Sequence, residues 1–242
     1  GDSCLYQSTG LRNTAIGIRA LQNDLTGDDN VSIGFESLKL NSSGDKNVAI
    51  GVESLYSNSG YSNTAIGFQS LKLNTSVENT AVGAEALKNN TNSNNNTACG
   101  FQSLLNSNGG YNTAFGSLAG NSITTGSDNT CIGYSAGVSN ITGSQNTYIG
   151  KEASSSFNNS DNSTAIGYQA VVHYSNSMRF GNDSVTDWGF GANTLSGEAL
   201  RVGSTGSNGN GAYLTDGGVW TNASDKSLKT EFKSLAGKNI LN

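Results

Sequence analysis

The chain has 242 residues, of which 32 are glycine, none is proline and 13% are charged, with a formal net charge of −5. That balance offers no basic stripe to a nucleic acid, and no apolar run approaches the roughly 20 residues of a membrane span. Low charge with abundant Asn, Ser, Thr and Gly would by itself read as disorder, but a strict periodicity overrides the composition.

In chain order, residues 1–12 form a lead-in. No signal-peptide pattern opens it, and Gly1-Asp2-Ser3-Cys4 reads as the start of a processed or recombinant fragment. Residues 13–171 then repeat one phrase. Asn63-Thr64-Ala65-Ile66-Gly67 returns as Asn79-Thr80-Ala81-Val82-Gly83, and the closing glycines run from Gly17 to Gly167 in ten copies, always 16 or 17 residues apart. Repeats at a fixed short period indicate a stacked architecture.

Within a copy, Thr and Ile share one face of a short strand and Ala takes the other, because side chains alternate. A second short piece such as Phe68-Gln69-Ser70-Leu71 follows the glycine, and then a polar stretch suited to turns. No window keeps a 3.6-residue period, so helix is excluded. Two strands and two turns per copy predict an all-β, parallel β-solenoid of ten coils, about 4.8 Å apart. Two columns of small residues stand out, one at the motif's Ala and one three residues after each glycine (Ala20, Ser37, Ser54, Ser70 onward). Fitting inside a narrow roll accounts for one column easily and for two less well, which favours close approach of neighbouring chains and so an oligomer.

Several local patterns invite chemistry. Gly133-Tyr134-Ser135-Ala136-Gly137 matches a nucleophile elbow, but that motif needs a strand-to-helix turn and a partner histidine. Here it lies in register with the repeat, and His173 is the chain's single histidine. A metal site needs several convergent ligands, so no metal and no cofactor is expected; Asp28-Asp29 reads as a polar turn. Cys99 replaces the motif's Ile and Cys131 its Ala, which places them on opposite faces, two coils apart and too distant to bridge. Cys4 could pair only between chains or with a missing segment.

The residue after the glycine is aromatic in every second copy: Phe35, Phe68, Phe101, Tyr134 and Tyr168. Exposed, these rings would form a ladder with rungs about 9.6 Å apart, suited to stacking on a sugar or flat apolar ligand. Packed at a corner or between chains, they would be structural; packing is the favoured reading. Residues 172–223 lose the period and predict a β-rich neck with Gly- and Asn-rich turns.

The Asn-Thr-Ala-Ile-Gly phrase resembles the Asn-Ser-Val-Ala-Ile-Gly repeats of trimeric autotransporter adhesin heads and related phage and bacterial fibres. The resemblance covers about residues 13–171, with slightly longer copies and Thr often in place of Val. It implies a left-handed β-roll and a homotrimer. Further on, Ser224-Asp225-Lys226-Ser227-Leu228-Lys229 resembles the junction in tail-fibre and endosialidase-type proteins where an intramolecular chaperone begins. Residues 224–242 would then be the start of that chaperone. The resemblance implies self-cleavage between Ala223 and Ser224 in a longer precursor, with Ser224 as nucleophile and Lys229 as its base, since a lysine of lowered pKa can activate a serine. Ser227 departs from the family's Arg, and Ser224 also reads as a helix N-cap.

These features together predict an extracellular attachment segment, a phage-type tail fibre or a related surface or injection-system fibre. Its receptor would be a cell-surface glycan or protein. Alternatives are a purely structural trimeric spacer with its recognition tip elsewhere, or an endosialidase-type enzyme fibre. For the enzyme, the sequence offers no paired-acid constellation.

Overall fold

The computed structural model describes residues 1–185 and the strand residues 188–190, 198–202, 212–215 and 220–221. The chain divides into two compact units, Gly1–Asn182 and Asp183–Asn242. The first is an all-β solenoid of stacked parallel coils, with no helix among the described residues.

One sheet of eleven three-residue strands runs along the solenoid, from Thr14–Ile16 through Thr64–Ile66 and Thr80–Val82 to Met178–Phe180. Every adjacent pair is parallel and in the same register, Thr64 on Thr80, Ala65 on Ala81, Ile66 on Val82. The last strand extends the repeat beyond residue 171, because Met178, Arg179 and Phe180 pair with Thr164, Ala165 and Ile166. The long guanidinium of Arg179 takes the position that alanine holds elsewhere, and its Nε donates to the carbonyl of Gly181 at 3.0 Å. The stacking begins early too. Residues Gly1 to Leu5 follow the register of Gly17 to Leu21, Leu5 N–H donates to the Ala20 carbonyl at 3.2 Å, and Cys4 therefore stands in a small-residue column.

The expected second strand per coil forms only in two patches, Leu40–Asn41 with Ser57–Asn58 and Ser154–Ser155 with Val171–Val172. Elsewhere the piece after the glycine is a run of turns. Its residues alternate into the left-handed region, as at Gln69 (φ 54°) and Leu71 (φ 47°). That alternation reverses successive peptides, so one amide bonds to the coil before and another to the coil after: Gln69 N to Val52 O at 2.9 Å, Leu71 N to Ala86 O at 3.0 Å. The hydrogen-bond ladder thus survives without extended backbone.

The glycine at the corner is obligatory. Gly67 has φ 136°, a region that side chains with a Cβ avoid. A Cβ there would lie 2.5 Å from the carbonyl oxygen of Gly83 on the next coil.

The interior is narrow and half polar. Its apolar part is a column of leucines (Leu21, Leu38, Leu55, Leu71, Leu87, Leu104) flanked by the two columns of small residues. Both small columns face this interior: Ala65 and Ser70, like their counterparts from Ala20 and Ser32 to Ala165 and Ala170, are buried within one chain, and only the end residues Cys4 and Ala15 are partly exposed. The sequence-based expectation that they mark contact between chains is therefore wrong. A coil of 16 residues has room inside for one leucine and little else.

Where the leucine becomes Gly120 and Gly137, larger residues fill the space. A Cβ on Gly137 would meet Cys131 Sγ at 2.5 Å and the Tyr148 ring at 3.0 Å, and both of those residues replace alanine. Burial pushes the Cys131 thiol and the Tyr148 phenol up to about 12. The Tyr148 hydroxyl has no hydrogen-bond partner.

The polar part of the interior is a ladder of asparagines. Asn63 N–H donates to Asn47 Oδ1 at 3.0 Å, and its own Oδ1 accepts from Asn79 N–H at 3.0 Å. Its amide nitrogen donates to the Ser76 carbonyl at 2.8 Å, which ties the turn of the following coil. The pattern continues from Asn13 to Ser163. A second buried column, including Asn41, Asn58 and Asn74, begins at Asp24. Asp24 suits that place because four donors converge on it: Asn41 Nδ2, Gly27 N–H, Ser8 Oγ and Asn13 Nδ2, at 2.8–3.1 Å.

The second unit holds a four-stranded mixed sheet. Trp188–Phe190 runs parallel to Glu198–Val202, which pairs antiparallel with Ala212–Thr215 and that strand with Trp220–Thr221.

Two substitutions of opposite sign test the backbone account. Gly67→Ala should destabilise the solenoid by about 1–3 kcal/mol through its backbone conformation alone. Ser62→Gly, at an exposed residue with φ 57°, should raise stability by up to about 1 kcal/mol, because glycine adopts that conformation without strain. Urea unfolding followed by far-UV circular dichroism measures both.

Candidate binding face

The strand residues that flank the buried alanine point outward. They make a column of threonine or valine and a column of isoleucine or its substitutes along the outer face of the sheet. Just past the glycine stands the column that carries the aromatic residues. The five candidates are all exposed: Phe35, Phe68, Phe101, Tyr134 and Tyr168 are 42–55% accessible. They stand on the outer surface, about half covered by their neighbours along the column, and none enters the coil's interior. Between them the column carries smaller residues such as Val52, Ala84 and Ser117. Lys151 is the exception, with its Nζ 5.8 Å from the Tyr134 ring and 5.6 Å from that of Tyr168, in the range of cation–π attraction.

The next column out is charged but neutralised in place. Lys39 donates to Glu36 at 2.8 Å and Arg19 does so at 2.9 Å; Lys72 meets Glu53 at 2.6 Å and Lys88 meets Glu85 at 2.7 Å. Gln69 and Gln102 add amide donors to Glu53 and Glu85, each at 2.7 Å. These lysines hold the three carboxyl groups below the usual glutamate range, reinforced by Arg19, Gln69 and Gln102. The face beside them therefore presents apolar surface edged by closed ion pairs.

The other residues singled out in the sequence scatter. Ser135, in the elbow-like pentapeptide, is buried at φ 52°, with its N–H on the Ser117 carbonyl. His173 lies elsewhere in the chain's bonding pattern, with Nδ1 3.1 Å from Ser156 Oγ. Cys131 is buried whereas Cys99 is half-buried on the outer face, as their motif positions require. Among the described residues no group of three or more His, Cys, Asp or Glu side chains is placed to hold a metal, and no helix is long and apolar enough to cross a membrane. A shallow depression lined by Gln7, Asn23, Leu25, Leu40 and Ser42 opens on the surface. Ser224 and Lys229 lie outside the described residues.

Sequence reasoning missed two features here. It did not place the isoleucine column on the outside, although the run of small residues from Ala15 to Ala114 at the alternate position marks that side as the interior. It gave the motif's asparagine no role of its own, although that residue recurs from Asn13 to Asn146 without exception, more regularly than a turn demands. No protein family, curated protein or solved structure matches the chain.

Because the rings lie outside the buried core, the triple variant Phe35→Ser, Phe68→Ser, Phe101→Ser should retain the far-UV spectrum of the parent. Exposed side chains away from special contacts change stability by only about 0.5 kcal/mol each. Loss of the folded spectrum would return the rings to the coil's own packing.

Proposed function

We propose that the chain is an attachment segment of an extracellular fibre, of the phage tail-fibre or related surface or injection-system kind. In this reading three copies stand side by side as left-handed rolls and present a long, nearly uncharged surface to a cell-surface glycan or protein. The observation that carries it is the eleven-strand sheet held in one register, which at about 4.8 Å per coil makes the first unit a body of roughly 50 Å. Each coil bonds to both neighbours through backbone and asparagine side chains, so such a body resists bending. Its outer surface offers repeated apolar and aromatic groups, which suit adhesion.

Turnover fits less well. The described glutamates with shifted carboxyl groups are held low by lysine or glutamine partners. Asp24, whose carboxyl burial pushes up, lies inside the coil. A general acid needs a raised pKa and access to substrate. The spacer reading draws on the near-identity of successive coils, which gives no position a special role.

Binding of the purified chain to a glycan array and to intact cells separates attachment from spacing. Retained signal on at least one glycan class or cell surface, lost after heat denaturation, is the expected result; no signal on either would leave a spacer.

The junction makes a further expectation. A longer precursor carrying a chaperone after Leu228 should split between Ala223 and Ser224 once assembled, and Ser224→Ala and Lys229→Ala should each remain intact on a denaturing gel. A wild-type precursor that never splits would reduce Ser224 to a helix cap.

A further inference from the structure

Between its aromatic residues, the exposed column carries Val52, Ala84 and Ser117, and then Lys151 between Tyr134 and Tyr168. The rings change at the same place. Phe35, Phe68 and Phe101 give way to two tyrosines where the lysine appears. Lys151 Nζ lies 5.8 Å from the Tyr134 ring and 5.6 Å from that of Tyr168, so the ammonium is held between two π systems. Both rings remain about half exposed, at 48% and 55%. Ser117, on the rung before Tyr134, leaves the other flank of that ring without a long neighbour.

This lysine is also the least neutralised of the four that face a glutamate. Lys39, Lys72 and Lys88 reach their glutamates at 2.6–2.8 Å, whereas Lys151 stands 3.4 Å from Glu152 with half of its side chain exposed. Glu152 is served first by Gln169, whose Nε2 donates to Oε2 at 2.7 Å. That bond, ahead of Lys151, holds the carboxyl below the usual glutamate range. An ammonium has three N–H donors, so Lys151 keeps capacity for a further acceptor. Shutting it against another chain without a full partner would be costly, so this rung stays in water when copies stand side by side.

We infer that Tyr134, Lys151 and Tyr168 form a subsite for an anionic sugar, in which the ammonium meets a carboxylate or sulfate and a tyrosine ring stacks on the sugar ring. The inference rests on the attachment reading and names the class of glycan. The two kinds of group together select the ligand. A neutral sugar uses the rings and leaves the ammonium idle, and a simple anion uses the ammonium and leaves the rings idle; a charged sugar engages both. Each phenol hydroxyl adds a donor that the phenylalanines earlier in the column lack. The chain's net charge of −5 gives anions no long-range attraction, so an acidic glycan that binds is held by a local group such as this one.

Biolayer interferometry of the full chain on immobilised dextran sulfate, polygalacturonate, unmodified dextran and polyglutamate tests this. The chain should bind one or both charged polysaccharides, more weakly as salt is added, and prefer them to dextran and to polyglutamate. Binding to dextran sulfate alone assigns the acceptor as sulfate, and to polygalacturonate alone as carboxylate. Lys151→Gln, with the far-UV spectrum unchanged, should weaken that binding about tenfold, the scale of one hydrogen bond to a charged group. Glu152→Gln should tighten it, because the competing carboxylate is gone. Lys88→Gln, at a lysine closed on Glu85, should leave it unchanged. Equal weakening by both lysine variants would reduce the interaction to general charge and overturn the inference. So would binding that ignores Lys151→Gln, or a preference for dextran or polyglutamate. Wild type that binds intact cells but none of the charged polysaccharides overturns this site and leaves the attachment reading standing; wild type that binds neither cells nor any glycan removes both.

Discussion

Coils can stack at the spacing of a β-ladder only if the backbone at each corner comes close to the backbone of the next coil, and the column of glycines is what allows this. At Gly67 the nearest atom to a hypothetical Cβ is the carbonyl oxygen of Gly83, and the same holds from Gly17 to Gly150. With that approach secured, three-residue strands reach one another in register, and the amides of the turn segment reach the coils on both sides. The left-handed residues at Gln69 and Leu71 carry a conformational cost of about 1–2 kcal/mol each. The inter-coil hydrogen bonds and the buried leucine offset it.

The interior follows from the same closeness. A coil this tight encloses only a thin apolar core, so half of what it buries is polar and must be satisfied. The asparagine ladder does so without water, because each amide is both donor and acceptor and can serve the coils before and after it. Asp24 heads the second column for the complementary reason that four donors meet there. The replacement of leucine by Gly120 and Gly137 beside Cys131 and Tyr148 shows the core conserving volume rather than residue type, at the expense of a phenol without a partner.

A body built this way turns its isoleucine column and most of its aromatic side chains outward, since the inside holds little beyond one column of leucines. That inversion links fold to function. The isoleucine and aromatic columns recur at the coil period along the outer face, and on the proposed reading they are the groups offered for attachment. Their charged neighbours are closed into ion pairs and do not compete. Whatever meets this face is selected by shape and period before charge.

The repeat period and the parallel, helix-free solenoid of the repeat were legible in the sequence, because a glycine and an alternating strand at every sixteenth or seventeenth residue admit few other folds. The exposed aromatic column was legible as a column but not as exposed. Which side of Thr-Ala-Ile faces inward depends on how much volume the closed coil encloses, and alternation alone is symmetric between the two sides. The same limit made the small-residue columns look like contacts between chains. The asparagine ladder was hidden because an asparagine in a turn and one buried beneath a turn have the same local sequence. Only the stacking of the next coil, which brings a backbone N–H onto each Oδ1, decides between them.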